Sequence, residues 1–381
     1  MKILFIARGY PKLENKMLGI FERDQALAIK KLGHEVAYVV LDLRSIRRKR
    51  KMGYNHFCDS GIPVYEMNIP LGDVPLKMRS FFEDQAIRKL MPRIEQEWGT
   101  PDIVHAHFYK MAVGICSFFH NKGIPVVLTE HSSVVNKGKM SEKEKSIVLE
   151  TYHQADEIIA VSNSLSRTIY AEYGVQCKVV PNIVSLHEMV EYKPHGNVFN
   201  FVSAANLLRG KGFDLLIKAM RRVVKDFPDV RLTIYGDGPC RKEYENMIEK
   251  FGLSQNVTLY GRYERNELPE KYAEADAFVL ASRGETFGVV YIEAMACGLP
   301  VIGTACGGPE DFINKDVGLL VPKEDVDQLA SAMMRMIQNI TSYDRRYISN
   351  YALSCFSSER VADMILKVYQ NIIQKRCSEL T

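Results

Sequence analysis

Residues 277–300 read AFVLASRGETFGVVYIEAMACGLP, and this stretch combines an apolar run, a short polar loop and a second apolar segment. Ala277–Leu280 is typical of a buried strand. The second segment is expected to form a helix that begins near Phe287 or Gly288 and stops at Gly298. A strand that leads through a short loop into a helix is the repeating element of a parallel sheet covered by helices. The stretch therefore predicts an α/β fold.

The same alternation runs along the chain in two series. In the first, the predicted strands are Ile3–Ala7, Val36–Leu41, Ile103–His105, Val126–Thr129, Ile158–Val161 and Val179–Val180, and the predicted helices are Phe21–Leu32, Lys77–Trp98, Met111–His120 and Leu165–Tyr173. In the second, the predicted strands are Phe201–Ala204, Leu232–Tyr235, Val257–Tyr260, Ala277–Leu280 and Val301–Gly303, with helices from Phe213, Arg241, Glu267, Gly288 and Val326. Two doubly wound, Rossmann-like domains are expected, with a ligand in the cleft between the carboxyl edges of their sheets.

A chain of 381 residues is longer than one hydrophobic core usually supports. The polar stretch 192–197 contains helix breakers and is predicted to be the linker. The expected domains are residues 1–190 and 196–354. Residues 355–381 are expected to hold a helix, roughly Ser357 to Gln374, whose apolar stripe packs back toward the first domain.

The composition is that of a globular protein, because 46% of the residues are apolar and 25% are charged. It excludes a chain that is mainly disordered or fibrous. No run of about 18 uncharged apolar residues is present, so no membrane-spanning helix is expected and the protein is expected in the cytosol. The eight cysteines are scattered, with no Cys-x-x-Cys pair, and are predicted to be free thiols.

Positive charge is concentrated in the first half of the chain. Residues 1–190 hold 26 Lys and Arg against 21 Asp and Glu, whereas the remainder holds 24 against 25. A basic run follows a predicted strand and consists of Arg44, Arg47, Arg48, Lys49, Arg50 and Lys51. Such a run is either a solvated loop or a contact with an anionic membrane surface. The net charge of +4 is too small to indicate a nucleic-acid partner.

The loop before residue 288 carries the clearest chemical signal. A helix start presents unpaired N–H groups and a positive dipole end to an anion such as phosphate, and Gly288 has no side chain to block the approach. Glu285 stands just before the helix and Glu293 about two turns inside it, so the two carboxylates can contact two parts of one polyhydroxylated ligand. The alternative is structural, with Ser282 and Glu285 capping the helix and Glu293 solvated.

This loop and helix resemble a known family. Glu285 and Glu293, with seven residues between them, lie within Ser-x-x-Glu-Thr-Phe-Gly and Glu-Ala-Met-Ala-Cys-Gly-Leu-Pro, which closely resemble the E-x7-E signature of the retaining glycosyltransferases of family 4. Those enzymes have the GT-B fold of two Rossmann-like domains. Further segments resemble the family in its order along the chain: Gly19–Glu22, Leu32–Val36, Asp102–Phe108, Leu128–Ser132, Val161–Ser164, Val180–Val184, Lys211–Leu216, Tyr235–Pro239 and Gly307–Glu310.

The resemblance implies transfer of a sugar from a nucleotide sugar to a hydroxyl of a saccharide or polyprenyl-linked saccharide, in bacterial surface polysaccharide assembly. The donor would more often be a UDP-sugar than a GDP-sugar, and neither a metal nor another cofactor would be needed. Glu285, His131 and Lys211 would be the catalytic residues. The donor would be bound by Gly19, Asn206, Arg209, Lys211, Gly236, Arg262, Phe287, Gly288, Val289 and Glu293, with Glu293 on the ribose and Arg262 near the base.

One departure from the family concerns the phosphate site. The family commonly has arginine five residues before the lysine, where this chain has Asn206. Arg209 either compensates for that charge or is a solvated loop residue. Lys211 matches the family position, the alternative being an ordinary surface lysine.

The histidines and glycines also allow more than one interpretation. His131 either lies beside the transferred sugar, as the resemblance implies, or is a structural histidine after a buried strand. His105 and His107 share one face of a strand but have no acidic third ligand, so no metal site is expected. Gly236 and Gly238 are similar to a dinucleotide loop, but Arg241 replaces the third glycine, which disfavours a nicotinamide cofactor.

Two other functions remain open at this stage. A sugar-nucleotide epimerase on the same fold would consume the nucleotide sugar without an acceptor. A sugar-nucleotide-binding subunit without catalytic activity would explain the missing arginine at position 206.

Overall fold

The computed structural model describes residues 1–12, 17–48, 50–136, 138, 140–184, 191–193, 196 and 198–379. It divides into two units: the first is Met1–Ile183 with Ser358–Thr381, and the second is Val184–Ser357. The divisions fall a few residues before the predicted linker at 192–197 and a few residues after position 354. Three residues of that predicted linker, Pro194, His195 and Asn197, lie outside the described residues.

The first unit is built on one sheet with the strand order β3-β4-β2-β1-β5-β6-β7-β8. Its strands are β1 Lys2–Ala7, β2 Glu35–Asp42, β3 Gly53–Asp59, β4 Ile62–Asn68, β5 Ile103–His107, β6 Val126–Glu130, β7 Glu157–Ala160 and β8 Lys178–Val179. All pairings are parallel except that of β3 with β4. Its helices up to residue 183 are α1 Ile20–Lys31, α2 Leu76–Glu97, α3 Tyr109–Ala112, α4 Cys116–Asn121, α5 Ser133–Asn136, α6 Glu142–Gln154 and α7 Asn163–Tyr173.

The predicted helix Met111–His120 is wrong, because the chain forms two short helices there, α3 and α4. Gly114 lies between them, and a side chain at this position would overlap the backbone carbonyl of Ser80 on α2. Glycine weakens a helix, and the close approach of α2 favours it at this position. The hairpin β3–β4 and helix α6 were not predicted from the sequence.

The second unit is a parallel sheet with the strand order β11-β10-β9-β12-β13-β14. Its strands are β9 Asn200–Ala204, β10 Arg231–Tyr235, β11 Val257–Gly261, β12 Ala277–Val279, β13 Val301–Ala305 and β14 Gly318–Pro322. Its helices are α8 Phe213–Asp226, α9 Arg241–Lys250, α10 Leu268–Ala273, α11 Val289–Ala296, α12 Val326–Gln338 and α13 Arg345–Phe356. This is the doubly wound arrangement that the sequence predicts, extended by β14 and α13.

The last helix, α14 Ser358–Glu379, belongs to the first unit. It contacts α1. Its apolar stripe, which includes Val361, Ile365 and Tyr369, is buried in the same core cluster as Ile29 of α1 and Phe5 of β1. The C-terminal segment is therefore part of the core of the first unit.

Two further features follow from the described residues. None of the helices in the described ranges is both long and apolar enough to cross a membrane. All eight cysteines are described and are free thiols, as predicted from their spacing.

We expect Ile365→Ala to destabilise the first unit by about 2–5 kcal/mol, because it removes a fully buried side chain and leaves a cavity. Urea unfolding followed by the fluorescence of Trp98, the only tryptophan, reports on this unit. The control is Lys367→Ala on the exposed face of α14, which is expected to change stability by less than about 0.5 kcal/mol. Equal midpoints for the two variants would contradict a core role of α14.

Candidate functional site

The clearest site in the second unit lies where the winding of its sheet reverses. Strands β9 and β12 are neighbours in the sheet, but the connections that leave their carboxyl ends run to opposite sides of it. In an open parallel sheet the ligand binds at such a switch point. The loop after β9 carries Lys211, and the loop after β12 carries Glu285. Two segments far apart in sequence are thereby brought to one place.

Lys211 and Glu285 form an ion pair at this point. The Lys211 Nζ donates to Glu285 Oε1 over 2.7 Å, and the Ser282 hydroxyl donates to the same oxygen over 2.6 Å. The Glu285 side chain is 9% exposed and the Lys211 side chain 28%. Lys211 is therefore a partly buried partner of the loop, and its interpretation as an ordinary surface lysine is wrong.

A second ion pair holds the two loops together. The Arg283 guanidinium binds both carboxylate oxygens of Asp214, in the first turn of α8, over 2.8 and 2.9 Å. It also donates to the Arg209 carbonyl and to Glu324. Its bond to Asp214 raises the pKa of Arg283 above its usual range. Sequence reasoning passed over Arg283 and Asp214, although both lie within the segments that it singled out.

The tight contact between these loops also explains why residue 212 is glycine. Gly212 has φ 69°, and a side chain there would overlap the carbonyl of Ala281. Only glycine adopts this conformation at such close range without strain. Lys211 is thus held against the end of β12 by the backbone as well as by its charge.

Helix α11 begins one residue after Gly288, whose φ is 100°. Phe287 is buried and contacts Phe312 and Phe356, which fixes the entry of the chain into the helix. Val289, the first residue of α11, is half-buried. The alternative in which Ser282 and Glu285 cap this helix is wrong, because its N-cap is Gly288 and no side chain caps it.

Glu293 lies inside α11 and is buried, with 6% of its surface exposed. The expectation of a solvated Glu293, which belonged to the structural alternative, is therefore wrong. Its charge acts on Tyr272 of α10, whose pKa is raised first by burial and then by Glu293. A buried carboxylate inside a helix is unusual for a structural residue and is a candidate for ligand binding.

The remaining residues of the expected donor site lie on exposed loops or against neighbouring backbone. Asn206 is exposed. Arg209 is paired with Glu243 over 2.9 Å and its side chain is 74% exposed, so it is turned toward α9. Arg262 is also exposed and lies 3.3 Å from Asp237. A side chain at Gly236 would overlap the carbonyl of Ala205, which requires glycine there.

Three histidines form a row in the first unit, at the carboxyl ends of β5 and β6. His107 Nδ1 lies 3.1 Å from His131 Nε2, and the His107 ring stacks on the His105 ring with centroids 4.3 Å apart. Burial lowers the pKa of His105 and of His131 to about 3, and lowers that of His107 well below its usual value. The three rings are therefore neutral at physiological pH.

The row is positioned from two sides. The Glu130 carboxylate accepts from the amides of His131 and Ser132 and from the Tyr152 hydroxyl, which fixes the turn that carries His131. Burial raises the pKa of Glu130 to about 6. On the other side, His105 hydrogen-bonds through Nε2 to Thr129 over 2.6 Å.

The second hydrogen bond of His105 comes from the C-terminal helix. Its Nδ1 lies 2.6 Å from the hydroxyl of Tyr369 on α14. With both ring nitrogens hydrogen-bonded, the ring plane of His105 is fixed, and His107 stacks against it. Sequence reasoning could not find Tyr369, because 264 residues separate it from its partner.

Gly19 is the N-cap of α1 and has φ 76°. A side chain there would overlap the carbonyl of Gly9, so the loop after β1 lies directly against the start of α1. Nearby, Phe108 has φ 67°, a strained value for a residue with a side chain, and its ring contacts His131 with centroids 5.1 Å apart. The strain at Phe108 marks this end of the sheet as a candidate site.

No group of three or more His, Cys, Asp or Glu side chains in the described ranges is arranged to hold a metal ion. The candidate functional groups are an ion pair beside a helix start in the second unit and neutral imidazoles in the first. Such groups can bind phosphate and sugar hydroxyls.

Two Rossmann-like units in one chain are the architecture of the GT-B fold. Among solved structures, the sucrose-phosphate synthase of Thermosynechococcus elongatus matches with a TM-score of 0.79 and 19% identity, over 98% of this chain and 99% of that chain. Anabaena HepE in complex with UDP matches with a TM-score of 0.75 and 20% identity, over 97% and 100%.

Two family models match in succession: Glycosyltransferase Family 4 over residues 23–188, and Glycosyl transferases group 1 over residues 189–353. The chain belongs to this glycosyltransferase family, as its motifs predict. It is 24% identical to the phosphatidylinositol N-acetylglucosaminyltransferase GPI3 subunit of Saccharomyces cerevisiae, over 95% of this chain and 81% of the relative. It is 35% identical to a GDP-mannose-dependent phosphatidylinositol monomannoside mannosyltransferase of Corynebacterium glutamicum, over 35% and 37%.

We expect Tyr369→Phe to release the ring of His105, because the substitution deletes the hydroxyl that engages Nδ1. Ring nitrogen chemical shifts of His105 and His107 should change, and turnover should fall by about two- to tenfold, the factor that one hydrogen bond represents. Tyr170→Phe, on the exposed face of α7, is the control and should change neither. Unchanged ring shifts in Tyr369→Phe would show that α14 does not position the histidine row.

Proposed function

We propose that this protein is a retaining glycosyltransferase that moves a sugar from a UDP-sugar to a hydroxyl of a saccharide or lipid-linked saccharide, in bacterial surface polysaccharide assembly. The observation that carries the proposal is the ion pair of Lys211 and Glu285 at the switch point of the second sheet. A cation, a carboxylate and a helix start meet there, and a nucleotide sugar needs partners for both diphosphate and hydroxyl groups.

The second unit binds the donor in this proposal. Lys211 and the first amides of α11, at Gly288 and Val289, face the diphosphate, where a positive charge and N–H groups are both favourable. Glu285 accepts hydrogen bonds from hydroxyls of the transferred sugar. Glu293 does the same for the ribose.

The roles proposed for the residues at the edge of the donor site come from the resemblance to the family. Asn206, Arg209 and Gly236 lie on the loops that border the diphosphate position, and Arg262 lies at the end of β11, near the base. Arg209 is engaged with Glu243, so its contribution requires a change of partner. Phe287 acts by fixing the start of α11.

His131 and Gly19 of the first unit complete the assignment. His131 is neutral, so it can donate or accept one hydrogen bond with a hydroxyl of the transferred sugar without adding charge. The amide of Gly19 is a further donor for the phosphates. The row of rings behind His131 supports its orientation.

The reaction proposed is a front-face displacement. The bond between the anomeric carbon and the phosphate oxygen breaks, the acceptor oxygen bonds to the same face of that carbon, and its proton passes to the leaving phosphate. The protein's task is to stabilise the charge that develops on the leaving diphosphate, and groups fixed in place before the reaction do so most effectively. Lys211 and the start of α11 are such groups.

UDP is proposed as the nucleotide because it is the commoner one in the family and because HepE, which shares the fold, is described with UDP. The corynebacterial relative is GDP-mannose-dependent, so GDP-sugars belong in the same test. Release of nucleoside diphosphate from a panel of UDP- and GDP-sugars, with and without saccharide acceptors, tests the proposal. Consumption without an acceptor would favour an epimerase, and binding without consumption a non-catalytic subunit.

We expect Glu285→Gln to lower transfer by at least about 10²-fold, because it removes the charge that pairs with Lys211 and contacts the sugar. Released nucleoside diphosphate is the measurement, with circular dichroism to verify folding. Glu270→Gln, the same substitution at an exposed position of α10, is the control and should retain full activity. Transfer by Glu285→Gln within about threefold of the unmodified protein would remove Glu285 from the catalytic set.

We expect transfer to persist in EDTA, since Lys211 and the start of α11 are proposed to stabilise the leaving group as a cation would. The measurement is the initial rate of sugar transfer before and after dialysis against the chelator. A rate that is lost in EDTA and restored by magnesium or manganese would overturn the metal-independent part of the proposal.

A further inference from the structure

A second polar site lies in the first unit, outside the histidine row. It is a cavity of about 270 Å³ at the carboxyl edge of the sheet, where β1, β2 and β4 end. Gly9 and Tyr10 follow β1, Asp42 ends β2, and Asn68 ends β4, and all four line the cavity. This volume is enough for a small polar group.

The lining carries an excess of positive charge. Five basic side chains and two carboxylates face the cavity. The carboxylates are already paired, because Asp42 binds Arg44 over 2.7 Å and Glu66 binds Lys12 over 2.7 Å. The hydrogen bonds from Arg44 help to hold the pKa of the Asp42 carboxyl below its usual value, so the carboxyl stays ionised.

Two of the cations differ from the others in their ion pairs. Arg47 and Arg48 are exposed, and no ion pair joins either of them to an acidic side chain within the described part of the chain. Both line the cavity. Arg47 and Arg48 therefore supply two of the three excess positive charges, and the third arises because Arg44 and Arg50 share one carboxylate, Asp42.

Arg50 has a different role from its neighbours. Its side chain is only 8% exposed and lies 3.0 Å from Asp42. Its guanidinium donates to backbone carbonyls on both sides of the loop: those of Asp42, Arg44, Ser45, Arg48 and Ile69. The expectation that the whole basic run is either solvated or in contact with a membrane is thus wrong for Arg50, which instead fixes the loop that presents Arg47 and Arg48. Lys49 of that run lies outside the described residues.

Asn68 adds a donor without an acceptor. It is 4% exposed, and its Nδ2 is buried with no hydrogen-bond partner among the described residues. A buried amide that lacks a partner is costly, so a ligand atom that accepts its hydrogen bond is favoured there. Among the described residues, the cavity therefore offers two guanidinium groups without a carboxylate partner and one amide without an acceptor, and all three are hydrogen-bond donors.

We propose that this cavity binds a phosphoryl group of the acceptor, through Arg47, Arg48 and the amide of Asn68. Phosphoryl oxygens only accept hydrogen bonds and carry negative charge, so they match a lining of cations and an N–H donor. The assignment of the group to the acceptor rests on the proposed function. The phosphoryl group can come from a lipid headgroup or from a soluble phosphorylated saccharide.

The test is calorimetric titration of the full chain with inorganic pyrophosphate at low salt. Because pyrophosphate can also occupy the donor site, Lys211→Ala serves as the background in which that site is weakened. In this background we expect binding to persist, and to weaken by about tenfold or more when Arg47→Gln and Arg48→Gln are added, since each removes a charge-assisted bond. Asn68→Leu should also weaken it. The matched control, Lys89→Gln with Lys143→Gln, removes two exposed charges elsewhere in the first unit and should have no effect.

Co-sedimentation then distinguishes the sources. Two results together indicate a lipid headgroup. The protein binds vesicles of phosphatidylcholine with phosphatidic acid but not vesicles of phosphatidylcholine alone, and the Arg47→Gln/Arg48→Gln variant loses this binding. Pyrophosphate binding without vesicle binding indicates a soluble phosphorylated acceptor. Equal pyrophosphate affinity with and without the Arg47 and Arg48 substitutions overturns the site. If pyrophosphate binding depends on Arg47 and Arg48 but the protein transfers no sugar, the proposed function is overturned and the phosphoryl site stands.

Discussion

The ion pair of Lys211 and Glu285 holds two loops of the second unit together. It joins the loop after β9 to the loop after β12, which are 74 residues apart. A lone charge at either position would be partly buried without a partner, a cost that the pair avoids. The bond of Arg283 to Asp214 ties the same loops together a few residues away, so the two loops cannot separate without breaking both ion pairs.

The first unit achieves a fixed site by the opposite means. Its histidines carry no charge, because burial disfavours the protonated form of each ring. Their positions are set by stacking, by the fixed carboxylate of Glu130 and by a hydroxyl from α14. The C-terminal helix α14 thus contributes to the core of the first unit and, through Tyr369, also orients the histidine row.

Much of the fold could be predicted from periodicity. Eleven of the fourteen strands in the described residues were found to within a few residues, because a buried strand and an amphipathic helix have distinct apolar patterns. Strand β14 was not predicted. The hairpin β3–β4 was missed because residues such as Asn55, His56 and Glu66 interrupt its apolar pattern. Helix α6 was missed because its polar surface dominates the sequence, although Ser141 and Glu144 form a capping box at its start.

The residues of the candidate sites were predictable only where a local sequence pattern marks them. Lys211, Glu285 and His131 were found because they lie in local motifs that resemble a family. Arg283 and Tyr369 were not, since the role of each depends on contacts with residues distant in sequence. Asn68 was not found either, because the sequence does not show that its amide is buried without a partner among the described residues. The sequence also did not show that Arg50 differs in role from Arg47 and Arg48, because the six basic residues of this run can be distinguished only by their hydrogen bonds.

The two units differ in a way that matches the chemistry proposed for each. Phosphate requires opposing charge, and Lys211 and the guanidinium groups of Arg47 and Arg48 supply it on separate sheets. Sugar hydroxyls require hydrogen bonds of defined direction, which a carboxylate or a neutral imidazole supplies when its orientation is fixed. With Asn206 in the place of the family's arginine and Arg209 engaged by Glu243, Lys211 takes the larger share of the charge beside β9. Its partnership with Glu285 then couples the two tasks, since a phosphate that draws Lys211 toward itself also frees an oxygen of Glu285 for a hydroxyl.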